Sequence, residues 1–212
     1  MKDLKNLSNL LPKTKALLLK LNSNCPFLSK YVLVGGSALA LHVEHRKSED
    51  LDFFTYEDSF DKKEIFRYLQ NFKNSEILNQ TDEQIDLLLD GVKVTFFNAK
   101  WKFLKPKKIE TFNLASLESI CAMKVNVVFL RAKYRDYYDL YFLVKQLGIN
   151  TVFKNSLQVL EGLTFKLFVV SLLYIDDIED DNIDYLEPVK QIKKVKIRDF
   201  FQTEINKLKV NT

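Results

Sequence analysis

The stretch VLVGGSALALHVEHRKSEDLDFF, residues 32–54, decides the fold by the order of its parts. A short apolar run reads as a buried strand and stops at Gly35-Gly36. SALALHVEHR (37–46) then has helical spacing with a serine at its start. LDFFTY (51–56) returns to strand and is entered through Asp50-Leu51-Asp52. The paired glycines let backbone approach a ligand where a side chain would collide. Ser37 and the first amides of the helix make an anion site, reinforced by the helix dipole. Residues two apart on a strand share a face, so Asp50 and Asp52 point the same way, with Cα atoms about 6.5–7 Å apart. Two carboxylates at that spacing reach one divalent ion. Mg²⁺ is the expected occupant, because it favours carboxylates shared with substrate phosphates. A phosphate site and a metal site joined by one helix are what triphosphate chemistry needs.

Outward from this stretch, leucines at 7, 10, 11, 17, 18 and 21 predict helix over 3–21, with a break at Pro12. DKKEIFRYLQNF (61–72) is an amphipathic helix with Ile65, Phe66 and Leu69 inward. QIDLLLDGVKVTFFNA (84–99) reads as two strands joined by the hairpin dipeptide Asp90-Gly91. The chain to about Thr111 is extended and lysine-rich. Beyond residue 115, SLESICAMKVNVVFLR, RDYYDLYFLVKQLG and LTFKLFVVSLLYI all carry helical spacing, and Gly148 is placed to stop the second. The expected fold class is α+β: residues 1–113 form a mixed β-sheet core flanked by helices, and 114–212 an α-helical bundle.

Composition agrees with a packed protein. The 212 residues are 47% hydrophobic and 13% aromatic, which excludes disorder, while only five glycines and four prolines leave few tight turns. No apolar run approaches the roughly 20 residues of a membrane span, and the N-terminus lacks the pattern of a signal peptide. Cys25 and Cys121 stand far apart without metal-ligand spacing, so free thiols in a reducing cytoplasmic setting are expected.

Taken singly, a double glycine or a DxD is a weak signal. HAD-type phosphatases carry DxD but need a small or hydroxylated residue soon after, where Phe53 and Phe54 stand. DxD glycosyltransferases lack the preceding Gly-Gly-Ser helix. The combination, in this order, resembles the nucleotidyltransferase superfamily, and more narrowly the AbiEii/AbiGii toxin-like nucleotidyltransferases of bacterial toxin–antitoxin and phage-defence systems. The likeness rests on Gly35 to Leu39, His45, Arg46, Ser48 and Asp50 to Phe54. It continues through VKVTFF (92–97), LASLESICAMKVN (114–126), RDYYDLYFLV (135–144), LYIDDIED (173–180) and IRDFFQTEI (197–205).

The resemblance implies a nucleoside triphosphate held by Gly35, Gly36, Ser37, Asp50, Asp52, Lys124 and Asp136, with Mg²⁺ on the two strand acids. It implies transfer of a nucleoside monophosphate to a hydroxyl of an RNA end (tRNA among them) or of a protein, restrained by a cognate antitoxin. The rival reading is a nucleotide-binding module of the same fold that has lost turnover. Its support is Thr95, which stands where many superfamily polymerases place a third acid; Asp86 can replace that acid only if it faces inward, with Ile85 and Leu87 on the opposite face.

The residues themselves leave some alternatives open. Lys124 lies among Ile120, Cys121, Val127 and Val128, a costly place for a lysine without an anion. Either a triphosphate or Asp136 or Asp139 meets it. Asp139 equally suits a helix-dipole role, and Arg46 either touches phosphate or pairs with Glu44 or Glu49. His42 reads as a packing histidine and His45 as part of the turn. Five lysines between Lys100 and Lys108, interleaved with Trp101 and Phe103, fit either a nucleic-acid contact or a protected strand edge. A second basic run spans Lys190 to Arg198, and seven acids fall within 176–187. The acids read as a solvated loop or a docking surface for a basic partner.

Overall fold

The computed structural model describes residues 7–55, 57, 60–104, 106–109, 112–180 and 182–209. The chain divides into two compact units, Met1–Ser116 and Leu117–Thr212.

The first unit is built on a seven-stranded mixed sheet: β1 (Val32–Val34), β2 (Leu51–Thr55), β3 (Ser75–Gln80), β4 (Gln84–Leu89), β5 (Val92–Asn98), β6 (Pro106–Ile109) and β7 (Phe112–Ala115), in the spatial order β3-β4-β5-β2-β1-β7-β6. β1 runs antiparallel to β2 and parallel to β7, while β2 runs parallel to β5. Among the described residues the α-helices α1 (Pro12–Asn24), α2 (Gly35–Val43) and α3 (Lys62–Leu69) accompany it. β7 carries the sheet unit past residue 113, because Leu114 and Ala115 are its buried inner end.

Strand alternation gives the sheet two unlike faces. Leu51 and Phe53 of β2, Val94 and Phe96 of β5, and Ile85 and Leu87 of β4 are buried to within 1%. Phe53 stacks on Phe96, and Phe27 and Tyr31 close edge-on over Phe96. The opposite face carries Asp52 and Phe54, Thr95 and Phe97, and Gln84 and Asp86.

Local differences from the expected elements have simple causes. Pro12 begins α1 at its first turn, where its missing N–H costs nothing; residues 3–6 of the expected helix lie outside the described residues, as does Tyr56 of the second strand. α2 starts at Gly35, two residues before Ser37. On α3, Ile65 and Tyr68 are buried while Phe66 and Leu69 are half-buried. β3 went unread because every residue of this edge strand is exposed, leaving no alternation. The Asp90-Gly91 hairpin forms, with both residues at positive φ (48° and 82°) as the turn demands.

The second unit contains α4 (Leu117–Arg131), α5 (Tyr134–Leu147), α6 (Ile149–Ser156), α7 (Phe165–Leu173) and α8 (Lys194–Lys209). α4 packs on α5, α6 and α7, and α5 and α7 pack on α8. α8 buries Ile197, Phe201 and Ile205, one stripe at four-residue spacing. The short α6, with its β-branched residues, escaped sequence reading. Arg198 of the basic run pairs with Asp176 of the acidic stretch, and Lys194 donates to the Ile178 carbonyl, so the two runs partly answer each other; Asp181 lies outside the described residues. Among the described residues no helix is long and apolar enough to cross a membrane. Cys25 and Cys121 are free and buried, and burial pushes each thiol up to about 12.

Candidate active site

Residues 47–50 are fastened to the N-terminal segment. Leu11 N–H donates to the Ser48 carbonyl, Ser48 N–H to the Asn9 carbonyl, and the Thr14 hydroxyl to the Glu49 carbonyl at 2.7 Å. These bonds fix the entry to β2, and with it Asp50. The Ser37 hydroxyl donates to the Asp50 carbonyl, tying the first turn of α2 to the same loop. Ser37 is fully buried, so its side chain pins the turn and any phosphate contact falls to its amide.

Val34 is the register partner of Asp52, which places Asp52 beside the start of α2. Gly35 adopts φ +68°, and a Cβ there would overlap the Asp52 carboxylate. Glycine at this position is what leaves room for Asp52 beside the start of α2. Gly35→Ala is therefore expected to destabilise the protein by about 1–3 kcal/mol through backbone strain, measured by urea unfolding, and to push the Asp52 carboxylate aside. At Gly36 a Cβ would meet Arg46 Nη2 and Ser48 Oγ, each at 3.1 Å. Arg46 is 4% exposed and donates to the Lys47 carbonyl. A guanidinium thus lies against the glycine turn, a location that the sequence left undecided. His42 bonds the Ala115 carbonyl, the packing role expected of it, and His45 is fully buried.

Asp52, Thr95 and Asp86 lie in one row across β2, β5 and β4. Asp86 therefore faces the same side of the sheet as Asp52, with Thr95 between them. Its carboxylate, 7% exposed, accepts from Thr95 Oγ1 at 2.8 Å, from Gln84 Nε2 at 2.9 Å and from Asn79 Nδ2 at 3.4 Å. A carboxylate so occupied is a structural acceptor more than a proton acceptor for substrate. Asp86→Asn is expected to cost about 1–3 kcal/mol of stability through the lost charge-assisted bonds, read from thermal unfolding.

In the second unit, Lys124 is 5% exposed, and its ammonium lies 2.5 Å from Asp139 and 3.8 Å from Asp136. Arg131 holds Asp136 through two bonds of 3.0 Å, and the Lys133 N–H reaches the same carboxylate. Both aspartates are fully buried. Protein carboxylates therefore meet the lysine, as one of the two readings had it, and Asp139 is its nearer partner. This unit also holds a cavity of about 760 Å³ whose lining residues include Tyr134, Tyr138, Asp184 and Lys190 and none from the sheet unit.

Among the described residues no group of three or more His, Cys, Asp or Glu side chains comes together as a ready metal cage. The Asp52 carboxylate, a hard oxygen donor beside the first amides of α2, instead suits an ion that shares its coordination with phosphate, while Asp50 stands half-buried just before β2.

Comparison with known proteins gives a coherent result. The chain matches the family described as "Nucleotidyl transferase AbiEii toxin, Type IV TA system" over residues 16–105 and 101–168. It is 30% identical over 182 residues to the Aquifex aeolicus (strain VF5) protein aq_aa25, covering 81% of this chain and 88% of that one. Its fold is similar to JHP933 from Helicobacter pylori (TM-score 0.54, 20% identity, 95% and 96% of the two chains). It is likewise similar to MenT4, a nucleotidyltransferase toxin from Mycobacterium tuberculosis H37Rv (TM-score 0.50, 14% identity, 88% and 79%). With the family match spanning well over half of its length, this chain is a nucleotidyltransferase and belongs to the AbiEii toxins of type IV toxin–antitoxin systems.

Proposed function

We propose that the protein transfers a nucleoside monophosphate from a nucleoside triphosphate to an acceptor hydroxyl, using the Gly35–Ser37 turn, Asp50 and Asp52. The observation that carries this reading is the seating of the Asp52 carboxylate against Gly35, which brings an acid and the amide end of a helix together within the span of a triphosphate. Asp50 and Asp52 would hold Mg²⁺, which supplies charge neutralisation across the triphosphate oxygens. The amides of Gly36 and Ser37, with the Arg46 guanidinium beside Gly36, receive phosphate oxygens. The family correspondence adds Lys124 as a phosphate donor, oriented by Asp139 and Asp136; an ammonium has three N–H donors, so pairing leaves it capacity. The acceptor oxygen attacks the α-phosphorus, the bond to the β-phosphate oxygen breaks, pyrophosphate leaves, and the hydroxyl proton passes to solvent. Positioning and charge stabilisation account for the rate.

The acceptor is the hydroxyl of an RNA end or of a protein. The setting is the cytoplasm, fitting two buried free thiols, and a cognate antitoxin restrains the activity. The second reading, a module that binds nucleotide without turnover, draws on Thr95 beside Asp52 and on an Asp86 already saturated with donors. Incubation with each labelled triphosphate, Mg²⁺ and total RNA separates the two. Label transferred to RNA or to protein supports the enzyme; nucleotide binding without transfer, for every triphosphate, supports the module.

A further inference from the structure

The face of the sheet that bears Asp52 also carries an aromatic cluster. Phe54 and Phe97 are register partners on β2 and β5, one same-face step beyond the pair Asp52 and Thr95. Their rings meet edge to face at 4.9 Å. Trp101, on the segment leaving β5, packs against both at 5.9 and 6.4 Å, and Phe103 stacks on Trp101 at 5.5 Å with an interplanar angle of 26°. All four rings are half-buried, whereas Ala99 and Leu104 of the same segment are buried. Exposed lysines flank it: Lys93, one same-face step before Thr95 on β5, and Lys102, between Trp101 and Phe103 in the chain. Lys100 is engaged by Glu83, and Lys105 lies outside the described residues.

Half-exposed rings beside exposed cationic side chains match single-stranded nucleic acid, whose unpaired bases stack while its phosphates meet the lysines. The nucleobase of a triphosphate needs one ring; a cluster of four half-exposed rings with exposed lysines near it suits more than one base. We propose that Phe54, Phe97, Trp101 and Phe103 form a stacking platform for the bases of a single-stranded nucleic-acid acceptor, with Lys93 and Lys102 on its backbone. The platform rests on the reading of Asp50 and Asp52 as the transfer site, since it lies along the same strands.

Trp101 is the single tryptophan of the chain, so its fluorescence reports on the platform directly. The full-length protein, and its Asp50→Asn/Asp52→Asn form, is titrated with an unstructured oligoribonucleotide about twelve nucleotides long. Parallel titrations use an abasic strand of equal length, a duplex and each free triphosphate. The expected result is quenching by the single strand in both proteins, with the abasic strand and duplex weaker by about tenfold or more, the scale of one lost stacking contact. Phe103→Ala is expected to weaken binding of the single strand about tenfold. Lys93→Glu/Lys102→Glu, confined to exposed side chains, is expected to weaken it and flatten its salt dependence. Equal binding of abasic strand or duplex, quenching by triphosphate but not by oligonucleotide, or no quenching at all would overturn the platform. Transfer to a protein hydroxyl by a protein whose tryptophan ignores RNA would do so too, while leaving the transfer site itself standing.

Discussion

Asp50→Asn combined with Asp52→Asn is expected to abolish nucleotide incorporation while leaving the protein folded. Neutralising both acids removes the Asp52 carboxylate seated at the start of α2 and the second carboxylate proposed to share its cation. Loss of a single preorganised electrostatic group of this kind costs about 10²–10³ in rate, so the pair should lose at least that much and fall to background. The fold should survive for two reasons. Both side chains are half-buried and asparagine keeps their shape. The bond that ties the turn to β2 runs from Ser37 to the Asp50 backbone carbonyl, which the substitution leaves in place. Circular dichroism and unfolding midpoint should match the parent; incorporation at the parent's rate would defeat the proposed mechanism.

Asp139→Ala is expected to be the most damaging single change in the helical unit. Lys124 would keep only Asp136 at 3.8 Å, a carboxylate already shared with Arg131, inside a region where the lysine is 5% exposed. Removing one partner of a buried pair costs about 3–5 kcal/mol, because the remaining charge is stranded. Replacing both partners, as in Lys124→Met/Asp139→Leu, should recover much of that loss, since apolar residues fill such sites without the desolvation penalty. The double variant then separates structure from chemistry. A folded protein that has lost incorporation places Lys124 on the nucleotide, as the family correspondence has it. Retained incorporation assigns the lysine to holding α4 and α5 together.

How far the sequence reaches depends on how local each feature is. The Gly35-Gly36 turn and the Asp90-Gly91 hairpin were readable because each is set by neighbours within a few residues. That Gly35 makes room for Asp52 was not, since it depends on Val34 pairing with Asp52 across the sheet. Helix spacing put Asp136 and Asp139 on one face of α5, but which of them meets Lys124 follows from how α4 packs on α5. The same limit hid the aromatic row: Phe54 and Phe97 are far apart in the chain and become partners only through the parallel register of β2 and β5. β3, exposed throughout, lacked any alternation, and α6 is an amphipathic stretch of only eight residues that follows directly on α5.

The most direct measurement is a crystal structure of the protein soaked with Mn²⁺ and a non-hydrolysable triphosphate, using anomalous scattering to locate the metal. The account requires the anomalous peak on the carboxylates of Asp50 and Asp52, with phosphate oxygens against the backbone of Gly35 to Ser37. A metal and triphosphate bound elsewhere, with both aspartates uninvolved, would contradict it.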